Sequence, residues 1–142
     1  MSGFTVRVAD WRSDHAALAG IRRAVFIVEQ QVPENLEWDD IDAQCLHALA
    51  HDAHGTPIGC GRLLPDGYIG RMAVVAPWRG RGVGGALLTR LMEIARARGD
   101  ARVLLNAQVQ AMPFYARHGF APQGPPFDEA GIPHQTMALA LR

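Results

Sequence analysis

The chain holds 142 residues, enough for one domain, spanning residues 1–142, whose core needs no metal or disulfide staple. Fourteen Lys and Arg balance fourteen Asp and Glu, so no overall field draws it to nucleic acid or an anionic membrane, and any anion site must be local. Cys45 and Cys60 are too few for a disulfide framework and read as reduced core thiols. Met1 to Asp14 has no charged segment followed by an apolar one, and apolar runs such as Ala24 to Val28 are far too short to span a bilayer, which predicts a soluble, cytoplasmic protein.

Phe4, Val6 and Val8 alternate with Thr5 and Arg7, the period of a half-buried strand. Ser13 then offers an N-cap for a helix running to about Gln30, with Leu18, Ile21, Val25 and Val28 as its apolar stripe and Pro33 as its stop. Glu34 to Gln44 is acidic and irregular and predicts a surface loop. Cys45 to His51 and Ile58 to Leu64 read as a hairpin around the turn chemistry of Asp52 to Pro57. After Pro65-Asp66-Gly67, Tyr68 to Val75 is nearly all apolar and predicts a central strand. A helix follows from Gly82 to about Arg98, with Gly99 at the C-cap position and Arg96 and Arg98 suited to its C-terminal dipole. Val103 to Ala107 is a short strand, Met112 to His118 a short helix opened by Pro113, and Phe120 to Arg142 predicts two strands around a Pro- and Gly-rich loop. The order β, α, β, β, β, α, β, α, β, β places the chain in the α/β or α+β classes, with helices covering a mixed sheet.

Glycines at 80, 82, 84 and 85 stand where a strand passes into the long helix. Without β-carbons, several backbone N–H groups can converge there on one anion, and the helix N-terminus adds about half a positive charge. Arg79 and Arg81 supply mobile countercharge, so a diphosphate fits. The string lacks the Lys-Ser/Thr ending of a P-loop and the spacing and later acidic residue of a dinucleotide fold, which argues against both.

Arg79-Gly80-Arg81-Gly82-Val83-Gly84, following Ile69 to Val74, resembles the Arg/Gln-x-x-Gly-x-Gly/Ala signature of the GCN5-related N-acetyltransferases (GNAT), and Phe114-Tyr115-Ala116-Arg117-His118-Gly119-Phe120 resembles a second element of that family. Arg23 to Gln30, Ala107-Gln108 and Gly131 to His134 are similar to its ElaA-type members. The resemblance implies a mixed, mostly antiparallel sheet of about seven strands flanked by helices and splayed between the fourth and fifth. It further implies acetyl-CoA as cofactor, with coenzyme A as product. Met72, Ala73 and Val74 would bond the pantetheine arm through their backbones. Arg79, Gly80, Arg81, Gly82, Val83, Gly84 and Gly85 would hold the pyrophosphate, and Asn106 and Gln108 would lie beside thioester and amine.

Attack on a thioester needs an unprotonated amine, a stabilised oxyanion and a protonated leaving thiol. A backbone N–H near Val74 answers the second need and the Tyr115 phenol the third, both on the family pattern. No carboxylate lies within Tyr68 to Val75, so the candidates for the general base are Glu29, then His134, or a water chain, with a surface ion pair or a turn-ordering role as the plain alternatives for the two residues. Arg71, on a central strand, needs a partner: a substrate carboxylate or the acidic loop. Trp38 and Asp39 in that loop offer recognition of a cationic amine, against the plainer role of a solvated loop. His47 and His51 share a strand face but stand about 13 Å apart, too far to share an ion, so no metal is expected.

The leading reading is transfer of an acetyl group to a primary amine of a small molecule or peptide by direct attack in a ternary complex. The rival is a non-catalytic acyl-CoA sensor of the same fold. No nucleic-acid or membrane partner is expected, and a homodimer stays open.

Overall fold

A computed structural model describes residues 3–142. Strands β1 (Phe4–Ala9), β2 (Leu46–Asp52), β3 (Pro57–Leu63) and β4 (Tyr68–Val74) form an antiparallel run. β5 (Arg102–Gln108) lies parallel to β4 and antiparallel to β8 (Ile132–Ala140), which also pairs β6 (Ala121–Pro122) and β7 (Phe127–Glu129). The sheet is mixed and mostly antiparallel, as expected, but has eight strands among the described residues, because the C-terminal stretch divides into three rather than two. β4 and β5 pair only at Tyr68 with Leu104 and Ile69 with Leu105. Beyond those pairs the strands part, giving the expected splay.

Two helical layers cover the sheet. On one face, α3 (Val83–Arg98) sets Leu87, Leu88, Leu91 and Ala95 on Ile58, Leu63, Ile69 and Leu105. On the other, α1 (His15–Arg22) and a π-helical continuation over Arg23–Glu29 press Leu18, Ile21, Val25 and Phe26 on Leu49, Cys60 and Ala73. Each such aliphatic side chain contributes about 1.5–3 kcal/mol on burial. A Cβ at Gly59 would stand 3.0 Å from Leu87 and Val83, so a glycine in β3 lets α3 lie close against the sheet. Cys45 and Cys60 are free and buried, and burial pushes the Cys60 thiol up to about 12.

Three expectations need correction. Ser13 does not cap the first helix, because its N–H and hydroxyl both donate to Asp10, and the residue at the cap is Asp14. The helix reaches Gln30, but its last turns are π rather than α, so the 3.6-residue stripe slips: Phe26 turns inward while Val28 is 69% exposed. The acidic stretch is not a solvated loop. It forms α2 (Glu34–Glu37) and a 3₁₀ turn (Asp42–Gln44), with Glu37 and Asp42 buried.

Candidate active site

The parting of β4 and β5 opens a cleft of about 840 Å³, walled by β4, β5, the π-helical segment, the acidic segment and the β7–β8 hairpin. A second groove of about 450 Å³, lined by Gly80, Gly82, Gly84 and Gly85, continues past Val74 to the start of α3.

β4 carries a bulge. Cys60 pairs Ala73 while Arg62 pairs Gly70, so Arg71 and Met72 oppose Gly61 alone, and Arg71 takes φ +49. A Cβ on Gly61 would collide with the Met72 sulfur, so the bulge needs a glycine opposite it. Register then decides which backbone groups face the cleft. Val75 N–H donates to Ile58 O at 3.0 Å, and antiparallel alternation turns Ala73 toward Cys60 but Val74 away from β3. Met72 and Val74, rather than all three predicted residues, therefore offer their backbones toward β5. The Val74 carbonyl accepts from Arg79 Nε at 2.9 Å, and its N–H faces the gap.

At the turn into α3, Gly80 and Gly82 adopt φ +75 and +85, values that favour glycine. No side chain caps the helix, and the N–H groups from Val83 to Gly85 have no hydrogen-bond partner among the described residues. A Cβ on Gly82 would meet only open space. Free donors, a helix dipole and an open approach suit a diphosphate. Arg81 lies over the Trp78 ring at 5.0 Å. Arg79 is not the mobile countercharge expected: its guanidinium grips both Glu29 oxygens, at 2.5 and 2.7 Å. That hydrogen bonding holds the Glu29 carboxyl below its ordinary range and weakens it as a base.

Tyr115, on α4 (Met112–Arg117), lines the cleft, and its hydroxyl has no hydrogen-bond partner among the described residues. Burial pushes the phenol up to about 12, so it stays protonated. His134, on β8, is 6% exposed and also lines the cleft. Its Nδ1 donates to Ile132 O at 2.7 Å, which leaves the Nε2 lone pair unused. Asn106 accepts from Thr136 Oγ1 at 2.8 Å. Gln108 Nε2 donates to Gln30 Oε1 at 2.8 Å and ties β5 to the π-helical segment.

The acidic segment is anchored by a network of three arginines. Arg22 donates to Glu37 Oε2 at 2.8 Å and Asp42 Oδ1 at 2.6 Å, and it lies over the rings of Trp11 and Trp38. Arg62 meets Asp39 at 2.6 Å and Asp42 at 2.8 Å. Arg71 has the acidic segment as its partner: Nε lies 3.2 Å from Glu37 Oε2, a charge contact out of line for a hydrogen bond, and Nη2 donates to Asp39 at 3.3 Å. Burial raises the Glu37 carboxyl, and the arginines only partly reverse this. Burial also opposes ionisation of Asp39, but Arg62 and Arg71 outweigh it and hold that carboxyl at about 2. Trp38 does not line the cleft: its ring packs against the Arg22 and Arg23 guanidiniums instead. Gln30, Arg62 and Glu129 line the cleft without having been picked from the sequence. Among the described residues no group of three or more His, Cys, Asp or Glu is placed to hold a metal, and no helix is long and apolar enough to cross a membrane.

Residues 11–141 match the family model described as an acetyltransferase (GNAT) domain. The chain belongs to the GNAT acetyltransferase family. Membership makes it an acyltransferase. Among its GNAT relatives, the uncharacterized N-acetyltransferase YjcF of Bacillus subtilis is 38% identical over 82% of this chain and 86% of its own. The crystal structure of Escherichia coli ElaA superposes with a TM-score of 0.80 at 30% identity, covering 94% of this chain and 98% of ElaA. yncA from Salmonella typhimurium, solved with acetyl-CoA, shares the GNAT fold at 18% identity and a TM-score of 0.79, covering 99% and 95%.

Proposed function

We propose that this protein transfers an acetyl group from acetyl-CoA to a primary amine of a small molecule or peptide by direct attack in a ternary complex. The observation that carries the reading is the continuity of two unsatisfied backbone sets: the edge of β4 beyond its last pair with β5, and the free N–H groups at the start of α3. The β4 edge offers backbone groups, the Val74 N–H among them, and the helix start offers N–H donors without acceptors among the described residues; a thioester on a pantetheine arm ending in a diphosphate presents partners in that order. When bound, acetyl-CoA supplies the activated acyl group. The presence of that cofactor in a yncA structure of the same fold agrees with this assignment.

The chain's own residues then divide the work. Val74 N–H faces the gap and stabilises negative charge on the acyl oxygen. His134 Nε2 takes one proton from the acceptor ammonium, and the proton that the nitrogen sheds as it bonds to the acyl carbon passes to the departing thiolate. Glu29, held by Arg79, is the poorer base of the two. Tyr115 is a hydrogen-bond donor to the departing sulfur rather than a full acid, since a phenol near 12 holds its proton more firmly than a thiol of about 8.5.

Thiol release from acetyl-CoA across a panel of amines tests the reading, and binding without turnover across that panel would favour the sensor. Tyr115→Phe should slow turnover about 10- to 100-fold, the worth of a hydrogen bond to a charged group, while calorimetry shows acetyl-CoA binding unchanged. Because Tyr115 ionises only near 12, its ionisation should cause no alkaline fall in rate below about pH 10. Full turnover in Tyr115→Phe would remove the residue from the mechanism.

A further inference from the structure

Four carboxylates line the cleft: Glu29, Glu37, Asp39 and Glu129. Three are neutralised within the chain, Glu29 by Arg79, Glu37 by Arg22 and Arg71, and Asp39 by Arg62 and Arg71. The arginines of the cleft wall, Arg62, Arg71 and Arg79, are spent on those pairs. Glu129 has no arginine or lysine within ion-pair reach among the described residues. Its carboxylate is 49% exposed, and His134 Nε2 stands 3.9 Å from its Oε2, too long for a hydrogen bond.

The hairpin sets this spacing. Glu129 pairs Ile132, and His134 stands two residues on, so both side chains fall on one face as diagonal neighbours. The two-residue turn Ala130-Gly131, at φ +54 and +77, holds the register, and His134 is fixed further by Phe127, stacked at 5.9 Å. His134 is more than nine-tenths buried, yet its Nε2 has no partner and is not sealed from solvent. A buried, unpartnered acceptor therefore sits beside an unneutralised carboxylate. An ammonium nitrogen about 2.9 Å from each would see the two atoms at about 85°, within reach of the tetrahedral spread of its hydrogens.

We infer that Glu129 and His134 together form the acceptor's ammonium site, and that the acceptor is an alkylammonium with no carboxylate beside the amine, such as a diamine or a lysine side chain, rather than a free α-amino acid. The assignment rests on the acetyl-transfer reading. Glu129 receives the amine in its charged form and His134 Nε2 takes one of its protons, which frees the nitrogen lone pair for attack; the second proton, lost as the C–N bond forms and the C–S bond breaks, goes to the departing thiolate. A carboxylate next to the amine meets Glu129 as a like charge, in a cleft whose arginines among the described residues are all paired.

The test is thiol release from acetyl-CoA with 1,4-diaminobutane, ethanolamine and glycine. The diamine and ethanolamine should differ in kcat/KM by less than about 10-fold, with glycine at least about 100-fold below both. Glu129→Gln should raise the diamine KM about 10-fold or more, with kcat changed less than about 3-fold and the acetyl-CoA Kd unchanged, and Glu129→Asp should recover part of the loss. A merely structural role would lower kcat and weaken acetyl-CoA binding as well. Turnover indifferent to acceptor charge, or an unchanged diamine KM in Glu129→Gln, overturns this inference and leaves acetyl transfer standing. No thiol release with any amine overturns both.

Discussion

The two ends of the cleft are built from different materials. At the α3 end the groups presented to a ligand are backbone N–H, aimed by the positive φ of Gly80 and Gly82 and left free by the geometry of a helix start. At the acidic end, the wall is made of side chains, and its shape depends on Arg22, Arg62 and Arg71 pairing with Glu37, Asp39 and Asp42. A backbone site is set by one short stretch of chain. A side-chain wall is set by residues that meet only after folding, and because its charges are buried it tolerates loss of a partner poorly.

The largest expected effect follows from that contrast. Arg22→Met removes a buried cation bonded to two buried carboxylates and the Glu37 carbonyl, and breaking such a pair costs about 3–5 kcal/mol. The urea midpoint should fall accordingly, while the remaining folded protein still binds acetyl-CoA. If stability is unchanged, the network is not what holds the acidic wall. If acetyl-CoA binding is lost with the fold intact, the two ends are not independent.

At the other end, Gly82→Asp should cost no comparable stability but should weaken acetyl-CoA binding at least ~100-fold, about 2.8 kcal/mol by calorimetry. The substitution places a carboxylate beside donors that await an anion, at φ +85. Gly82→Asn, which tolerates that φ and carries no charge, should bind far better than the aspartate variant. Equal loss in both would trace the effect to backbone strain instead of charge.

The same difference explains what was legible in the sequence. The turn into α3 is local: its glycines and arginines lie within seven residues, and their spacing already implies converging amides. The C-cap at Gly99 was legible for the same reason, since φ +93 there is a demand on one residue. The acidic wall was not, because Arg22 reaches Asp42 across 20 positions, Arg62 reaches Asp39 across 23, and Arg71 reaches the Glu37 carbonyl across 34. Five acidic residues in eleven look solvated until their cations are known. The π-helical turn also escaped notice, since Val25 and Val28 continue a 3.6-residue stripe that the backbone abandons. The bulge at Arg71 leaves no trace, because arginine is not a residue that announces positive φ. Glu129 was passed over because its importance is a remainder, visible only once every other carboxylate in the cleft has been matched to an arginine.

The smallest effect probes the hairpin that carries Glu129 and His134. Glu129 pairs Ile132 across Ala130-Gly131, so both turn residues take positive φ, as a two-residue turn of this type requires. Glycine meets that demand at no cost, but Ala130 at φ +54 bears the clash of its Cβ with the following carbonyl, roughly 1–2 kcal/mol for a residue with an ordinary side chain. Asparagine tolerates the left-handed region and is favoured at this turn position. Ala130→Asn should therefore stabilise the protein by about 0.5–1 kcal/mol, a rise of a few degrees in Tm for a domain of about 150 residues. Because the register is unchanged, the spacing of Glu129 and His134 is kept, and acetyl-CoA binding, set at the α3 end, should not move. A rise in Tm with unaltered acceptor KM would show that the strain at Ala130 is incidental to the hairpin. A rise in Tm with a weakened acceptor KM and unchanged acetyl-CoA affinity would show that the strained turn aims Glu129, and would place the acceptor end's specificity in a backbone feature after all.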